Sequence, residues 1–276
     1  MALDVTHEVP RVRPHAKTVN WRALLIRRVL PAGSVVVFLG IWQIVGSHVN
    51  PILLATPTQV VRAFGDLIST GQLGPAFGQA MEDLGVGYGL AVAVGISLGI
   101  VIGRSRTVER IFNPYINFFQ ATPLIALVPL VVIWFGVGFE ARVAVTFMLA
   151  VWSILINTST GVRETPPTLL DVGRVYKFRR LQTIATISLP NAVPNIFAGL
   201  RIALGKALIG MIIAQMEISV TGLGGLVVNY GNEFKTAYLL AAIITASLVG
   251  VVAAAALELL RRWLFPWTQG EEIHGW

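Results

Sequence analysis

What most constrains this chain is where its charges are missing. Uncharged runs cover 29–61, 67–81, 84–103, 111–139, 143–162, 181–200 and 236–257. A helix needs about 20 apolar residues to cross the hydrocarbon of a bilayer, and most of these runs are long enough. The run 67–81 is short and holds Thr70, Gly71, Gln72 and Gln79, so it is not counted. The pattern predicts an all-α membrane protein with six transmembrane helices, near 30–47, 84–103, 119–138, 142–160, 194–216 and 237–259. Only 13% of the residues are charged, against roughly 25% in soluble domains, so the bilayer is the expected solvent.

The basic residues set the expected orientation. With the N-terminus inside, 16 of the 21 cations fall in cytoplasmic segments. These are Arg11, Arg13, Lys17, Arg22, Arg27 and Arg28, then Arg104, Arg106, Arg110 and Arg163, then Arg174, Lys177, Arg179, Arg180, Arg261 and Arg262. The outer loops hold only Arg62, Arg142 and Lys235, while Arg201 and Lys206 lie within the fifth span. Both termini are therefore expected in the cytoplasm. The net charge of +7 is a topological signal and does not call for nucleic acid. The apolar stretch after Arg28 is not read as a cleaved signal peptide, because its polar leader is long and no small-residue cleavage pattern follows.

The expected organisation is a basic N-terminal segment (1–29), a six-helix domain (30–265) with a cytoplasmic segment (161–193), and a C-terminal tail (266–276). The first outer loop, about 48–82, contains an amphipathic stretch, Val60 to Ile68, suited to a short helix on the membrane face. The second is a tight turn at Gly136-Val137-Gly138. The third, Thr221 to Lys235, is glycine-rich with some apolar residues, a composition compatible with re-entry into the membrane.

Catalytic chemistry is not written in this sequence. There is no cysteine, which excludes disulfides, thiolate metal sites and thiol nucleophiles. His7, His15, His48 and His274 have no metal-ligand spacing to one another, and Ser153 has no base beside it. No Gly-x-x-x-x-Gly-Lys-Ser/Thr loop is present, so the chain is not expected to hydrolyse ATP or to carry a cofactor of its own.

Several features inside the spans call for an account. Gly87, Ala91, Gly95, Gly99 and Gly103 form a small-residue stripe; packing within the bundle is the expected use, a dimer seam the alternative. Gly85-Val86-Gly87-Tyr88-Gly89 resembles a potassium-filter string but opens a run that must itself span, leaving no chain for a re-entrant loop. Pro123 and Pro129, preceded by Gln120 and Thr122, free backbone carbonyls. Such breaks occur beside translocation paths and equally in kinked packing helices. Lys206 stands near the middle of a span, where a charge costs about 2.5–3.5 kcal/mol on insertion scales. Either it lines an aqueous path and meets an anionic solute, or it snorkels or pairs with Glu82, Asp83 or Glu217 on the outer side.

The cytoplasmic segment predicts a short helix from about Thr168 to Tyr176, a turn, and a second amphipathic piece ending at Pro190. A solvated basic loop would account for its cations. It would not account for Val172, Val175, Tyr176 and Phe178, which suggest docking. Here the chain resembles the binding-protein-dependent ABC importer permeases of the nitrate/sulfonate/taurine type. Their loop reads Glu-Ala-Ala-x-x-x-Gly, followed by an isoleucine-rich stretch ending in Leu-Pro. Asp171 stands for the Glu, Val172 and Gly173 for the alanines, Lys177 for the glycine, and Leu189-Pro190 for the terminal pair. Further blocks similar to the family are Thr56 to Val60, Gly99 to Arg106, Trp134 to Gly138, Ile156-Asn157-Thr158 and Gly199-Leu200-Arg201, so the likeness covers about 50–265. Glu82 and Asp83 stand where such permeases more often have Arg.

The resemblance implies a type I ABC importer permease fold in the bacterial inner membrane. It also implies a second permease copy (a homodimer), two ATPase subunits that bind ATP and Mg, and a separate solute-binding protein. Alternating access would be driven through a coupling helix. The residues it assigns to coupling are Asp171, Val172, Gly173, Tyr176, Lys177, Phe178 and Arg179. Gln120, Thr122, Asn157 and Lys206 are candidates for the path, with Lys206 favouring a sulfonate, taurine or nitrate-like anion. Vitamin precursors and pyrimidines are alternative solutes in such a group. The alternative class is a self-sufficient channel or secondary transporter, which would be betrayed by inverted repeats or paired intramembrane acids; neither is found.

Overall fold

The computed structural model describes residues 21–266, with side chains from Gly33 onward and at Leu30. Of the expected N-terminal segment, 1–20 lie outside the described residues and 21–29 belong to the first helix; of the C-terminal tail only Pro266 is described. Every regular element is helical, and the described spans form a bundle in which α3 (Leu73–Arg104), α6 (Phe139–Arg163) and α9 (Leu189–Ala214) make the centre.

The sequence dictates the approach of α3 to α6. Gly87 faces the Thr146 side chain, Gly95 faces Ile154 and Gly99 faces Thr158, and a Cβ at these glycines would stand 2.6–2.8 Å from those side chains. Ala91 is fully buried in the same row. The small-residue stripe is therefore bundle packing within one chain, as expected. Gly199 repeats the device on α9, where a Cβ would meet the Asn157 side chain at 2.7 Å.

At the N-terminal side, α1 (Trp21–His48) leans on α2 (Pro57–Ser69) through Gly46, which approaches Thr56, and through Trp42 Nε1, which donates to the Ala55 carbonyl at 3.0 Å. Its face from Val35 to Val45 is mostly exposed. A capping box starts α2: the Gln59 N–H donates to Thr56 Oγ1 at 3.3 Å, and the Thr56 N–H donates to Gln59 Oε1 at 2.9 Å. Its Val60, Ala63 and Leu67 are buried, and it packs on α11 (Thr236–Leu264), the surface helix that the amphipathic stretch predicts.

Three expectations change. First, α3 begins at Leu73, not near 84. Glu82 and Asp83 do not bound the helix, because Asp83 is buried and matched by Arg142 on α6. Second, 119–138 is not one helix. The amphipathic α4 (Arg106–Ala121) ends at Thr122-Pro123, a 3₁₀ turn follows over Leu124–Leu127, and α5 (Val128–Phe135) leaves at 90° to α4. Pro123 forces Thr122 into extended backbone (φ −77°, ψ 131°) and ends the helix.

Third, the piece after the cytoplasmic helix α7 (Pro167–Val175) does not stop at Pro190. The short α8 (Arg180–Thr183), a π turn over Ile184–Ser188, α9 and a second π turn over Gln215–Ser219 run as one 40-residue rod. The first wide turn lies directly before Leu189-Pro190, where the proline removes a backbone donor. The described residues contain four helices long and apolar enough to span a membrane. The α4–α5 pair makes a fifth if its bent halves count as one span; the apolar part of α1, Gly33–His48, is shorter. The glycine-rich outer segment folds as α10 (Gly222–Asn232), packed on α3, α9 and α11. At 11 residues it is too short to cross.

Candidate functional site

Two surfaces and one buried cluster carry the polar chemistry of the bundle. At the end where the basic residues gather, α7 projects between α6 and the long rod. Its exposed side combines Val172 (48% exposed), Val175 (78%) and Tyr176 (71%) with the ion pair Arg174–Asp171 at 2.8 Å. Leu181, the second residue of the rod that begins at Arg180, is 79% exposed. Gly173 is buried instead, against Ile187 and Phe178, so it seats the helix and is not part of its outer face. The Tyr176 and Phe178 rings lie 6.1 Å apart, and Phe178 is half-buried under the turn.

The turn has a defined geometry. The Phe178 N–H donates to the Gly173 carbonyl at 2.9 Å and the Lys177 N–H donates to the Arg174 carbonyl at 3.0 Å. This is a Schellman cap, whose penultimate residue takes left-handed backbone and is usually glycine. Here it is Lys177, with φ +50°. The turn that a glycine would make is thus preserved with a lysine in it. Arg179 is exposed, its N–H donating to Gln182 Oε1 at 2.8 Å to begin the rod.

The four path candidates are not gathered into one constellation. Gln120 is exposed on the last turn of α4, and Thr122 sits in the break with its hydroxyl donating to the Phe118 carbonyl at 2.8 Å. Phe119, just before Gln120, stacks on Trp152 of α6 with centroids 4.6 Å apart. Asn157 donates to the Ser153 carbonyl at 2.8 Å on its own helix and packs on Gly199. Lys206 is exposed on α9 beside Ile202, Gly205 and Ile209. Among the described residues no hydrogen bond or ion pair links any of these four to another, and none pairs Lys206 with Glu82, Asp83 or Glu217.

The buried cluster is what sequence reasoning missed. Asp83 Oδ2 accepts from Arg142 Nε at 2.9 Å and from Gln215 Nε2 at 2.8 Å. Arg142 also donates to Ser219 Oγ at 2.9 Å, and Gln215 Oε1 accepts from the Gly224 N–H at 3.0 Å. Gln79 Oε1 accepts the Gly222 N–H at 2.8 Å. α3, α6, the π turn after α9 and α10 are thereby tied at one end of the bundle. Burying a charge costs several kcal/mol unless it is paired and hydrogen-bonded, and this pair is both. The sequence shows Asp83, Arg142 and Gln215 only as polar residues at the edges of apolar runs; nothing local signals that they meet. Among the described residues no group of three or more potential metal ligands forms.

Residues 91–269 match the family model described as binding-protein-dependent transport system inner membrane component. The chain belongs to this family. It is 30% identical, over 96% of its own length and 94% of the relative's, to a putative aliphatic sulfonates transport permease protein of Bacillus subtilis. It is 31% identical to the bicarbonate transport system permease protein of Synechococcus elongatus, over 89% of this chain and 92% of that one. The taurine transport system permease protein of Escherichia coli is 29% identical over 92% and 95%. Among solved structures, the MetNI methionine ABC transporter in an inward-facing conformation matches with a TM-score of 0.51 at 17% identity, covering 65% of this chain and 93% of that one. That likeness supports a type I ABC permease-like fold. This permease is thus a multi-pass membrane subunit of the nitrate/sulfonate/taurine ABC importer family, a transport component and not an enzyme. The family's members work with ATPase and solute-binding proteins.

Proposed function

We propose that this permease passes a small anionic solute, of the sulfonate, taurine or nitrate type, from a binding protein outside the membrane to the cytoplasm. ATP-driven alternating access moves it. Two copies form the pathway and two ATPase subunits dock beneath them. Six spans, with both termini in the cytoplasm, complete the topology: α1 serves as the first and the bent α4–α5 arm as the third. The observation that carries the reading is the exposed apolar face of α7 among basic residues, with Val172, Val175 and Tyr176 uncovered in the single chain. A soluble-facing helix gains nothing from such a face, whereas a cleft in an ATPase would bury it.

In this reading Asp171, Val172, Tyr176, Lys177, Phe178 and Arg179 meet the ATPase, and Gly173 holds α7 against Ile187. ATP binding draws the two α7 helices together and turns the cavity outward. Lys206 supplies a positive charge for the solute, and Gln120, Thr122 and Asn157 supply neutral polar groups along its course. The anionic preference is supported by the unpaired Lys206 and by relatives named for aliphatic sulfonates, bicarbonate and taurine. The test is co-purification of the ATPase subunit encoded beside this permease. Tyr176→Arg and Val172→Asp should each release the ATPase while leaving the permease in the membrane. Retention of the ATPase by both variants would remove α7 from the interface. Binding of a vitamin precursor or a pyrimidine, in place of an anion, by the neighbouring solute-binding protein would overturn the solute assignment.

A further inference from the structure

Between α9 and the last turns of α11 lies a cleft of about 680 Å³. Each helix contributes both kinds of lining: Phe197, Ile202 and Arg201 come from α9, and Leu257, Glu258, Arg261 and Arg262 from α11. Glu258 accepts from Arg261 Nε at 3.0 Å and Nη2 at 2.9 Å, and from Arg262 Nε at 2.8 Å. Arg201 is exposed and makes no hydrogen bond or ion pair among the described residues. Among the described residues, the lining of the cleft holds three guanidinium groups and one carboxylate.

Its depth in the membrane follows from α11. The uncharged run 236–257 rises about 33 Å at 1.5 Å per residue, close to the hydrocarbon thickness of about 30 Å. Glu258, Arg261 and Arg262 therefore begin where the hydrocarbon ends, and Arg201, on the same cleft, is level with them. A guanidinium at that depth with apolar side chains beside it matches an amphiphile: a phosphate at the headgroup level with chains running along the helices. Arginine holds phosphate oxygens bidentately, and basic clefts between membrane helices recognise anionic headgroups.

We propose that this cleft binds an anionic phospholipid. Its phosphate sits between Arg201 and Arg262, and its acyl chains lie against Ile202 and Leu257, on the hydrocarbon side of the arginines. Glu258 holds Arg261 and tempers the charge of the site.

The experiment is native mass spectrometry of the full chain in a neutral detergent, titrated with phosphatidylglycerol, phosphatidylcholine or inorganic phosphate. Phosphatidylglycerol should bind at least about fivefold more tightly than phosphatidylcholine, and Arg201→Gln and Arg262→Gln should each weaken it by about fivefold, the effect expected of one basic residue. Glu258→Gln should strengthen it, a change that misfolding would not produce. Arg174→Gln, on the exposed α7, should leave it unchanged. Equal affinity for the two lipids, or an unaltered Arg201→Gln variant, would overturn the proposal. Inorganic phosphate binding as tightly as phosphatidylglycerol would assign the site to a free anion instead. Loss of the lipid on dimerisation would assign the cleft to the second copy.

Discussion

Lys177→Gly should tighten the turn at the end of α7. Lys177 occupies left-handed backbone at φ +50°, which costs an L-residue with a Cβ about 1–2 kcal/mol. Glycine escapes that penalty but gives up about 0.5–1 kcal/mol through the extra freedom of the open chain. The net expectation is a gain of about 0.5–1 kcal/mol. The gain is local, because the cap consists of two hydrogen bonds, Phe178 N–H to the Gly173 carbonyl (2.9 Å) and Lys177 N–H to the Arg174 carbonyl (3.0 Å). Hydrogen exchange of residues 177 and 178, read on the detergent-purified permease, is the appropriate assay. In the regime where closing outruns exchange, both amides should slow by about two- to fivefold, with α3 and α6 unchanged. Lys177→Val should do the reverse, since a β-branched side chain tolerates positive φ least. Exchange in Lys177→Gly that is unchanged or faster would refute the strained-cap reasoning.

Three further outcomes follow from the packing and the polar cluster. Asp83→Asn and Arg142→Met should each destabilise the bundle by about 3–5 kcal/mol, the usual cost of stranding one member of a buried pair. The double variant should lose less than the sum in thermal unfolding, and strict additivity would mean the two do not interact. Gly99→Ala places a methyl 2.6 Å from Thr158 Cβ and 2.9 Å from the Leu155 carbonyl; it should cost about 1–3 kcal/mol by forcing α3 from α6, whereas Gly89→Ala, which meets nothing within 4 Å, should be neutral by the same melt. Lys206→Met should reduce uptake of an anionic solute at least tenfold without changing permease abundance; unaltered uptake would take Lys206 out of the path.

The distribution of charge made most of the bundle legible, because a bilayer imposes one strong rule: long uncharged helices cross it. That rule located α6, α9 and α11 and read the stripe from Gly87 to Gly103 as a packing face. It failed where a local criterion meets a non-local partner. Asp83 looked like the end of a helix because its neutralising Arg142 lies 59 residues away. The run 111–139 looked like one span because apolarity says nothing about direction; Pro123 turned it by 90°. After α7, lysine at 177 stands where the resembling permeases have glycine. The backbone keeps the turn and accepts the strain, since the flanking α7 and α8 leave the chain no other route. Polarity in apolar surroundings marks Lys206 but equally marks Asn157, whose amide donates to the Ser153 carbonyl on its own helix.

In the mechanism we propose, this chain conducts solute only when an ATPase acts through α7. The most direct measurement is uptake of the solute, identified from the neighbouring binding protein, into liposomes holding the permease. Uptake should require the ATPase, ATP and the binding protein together, and Tyr176→Arg should abolish it. Uptake by the permease alone, at a rate comparable with the full assembly, would contradict the account and favour a self-sufficient channel.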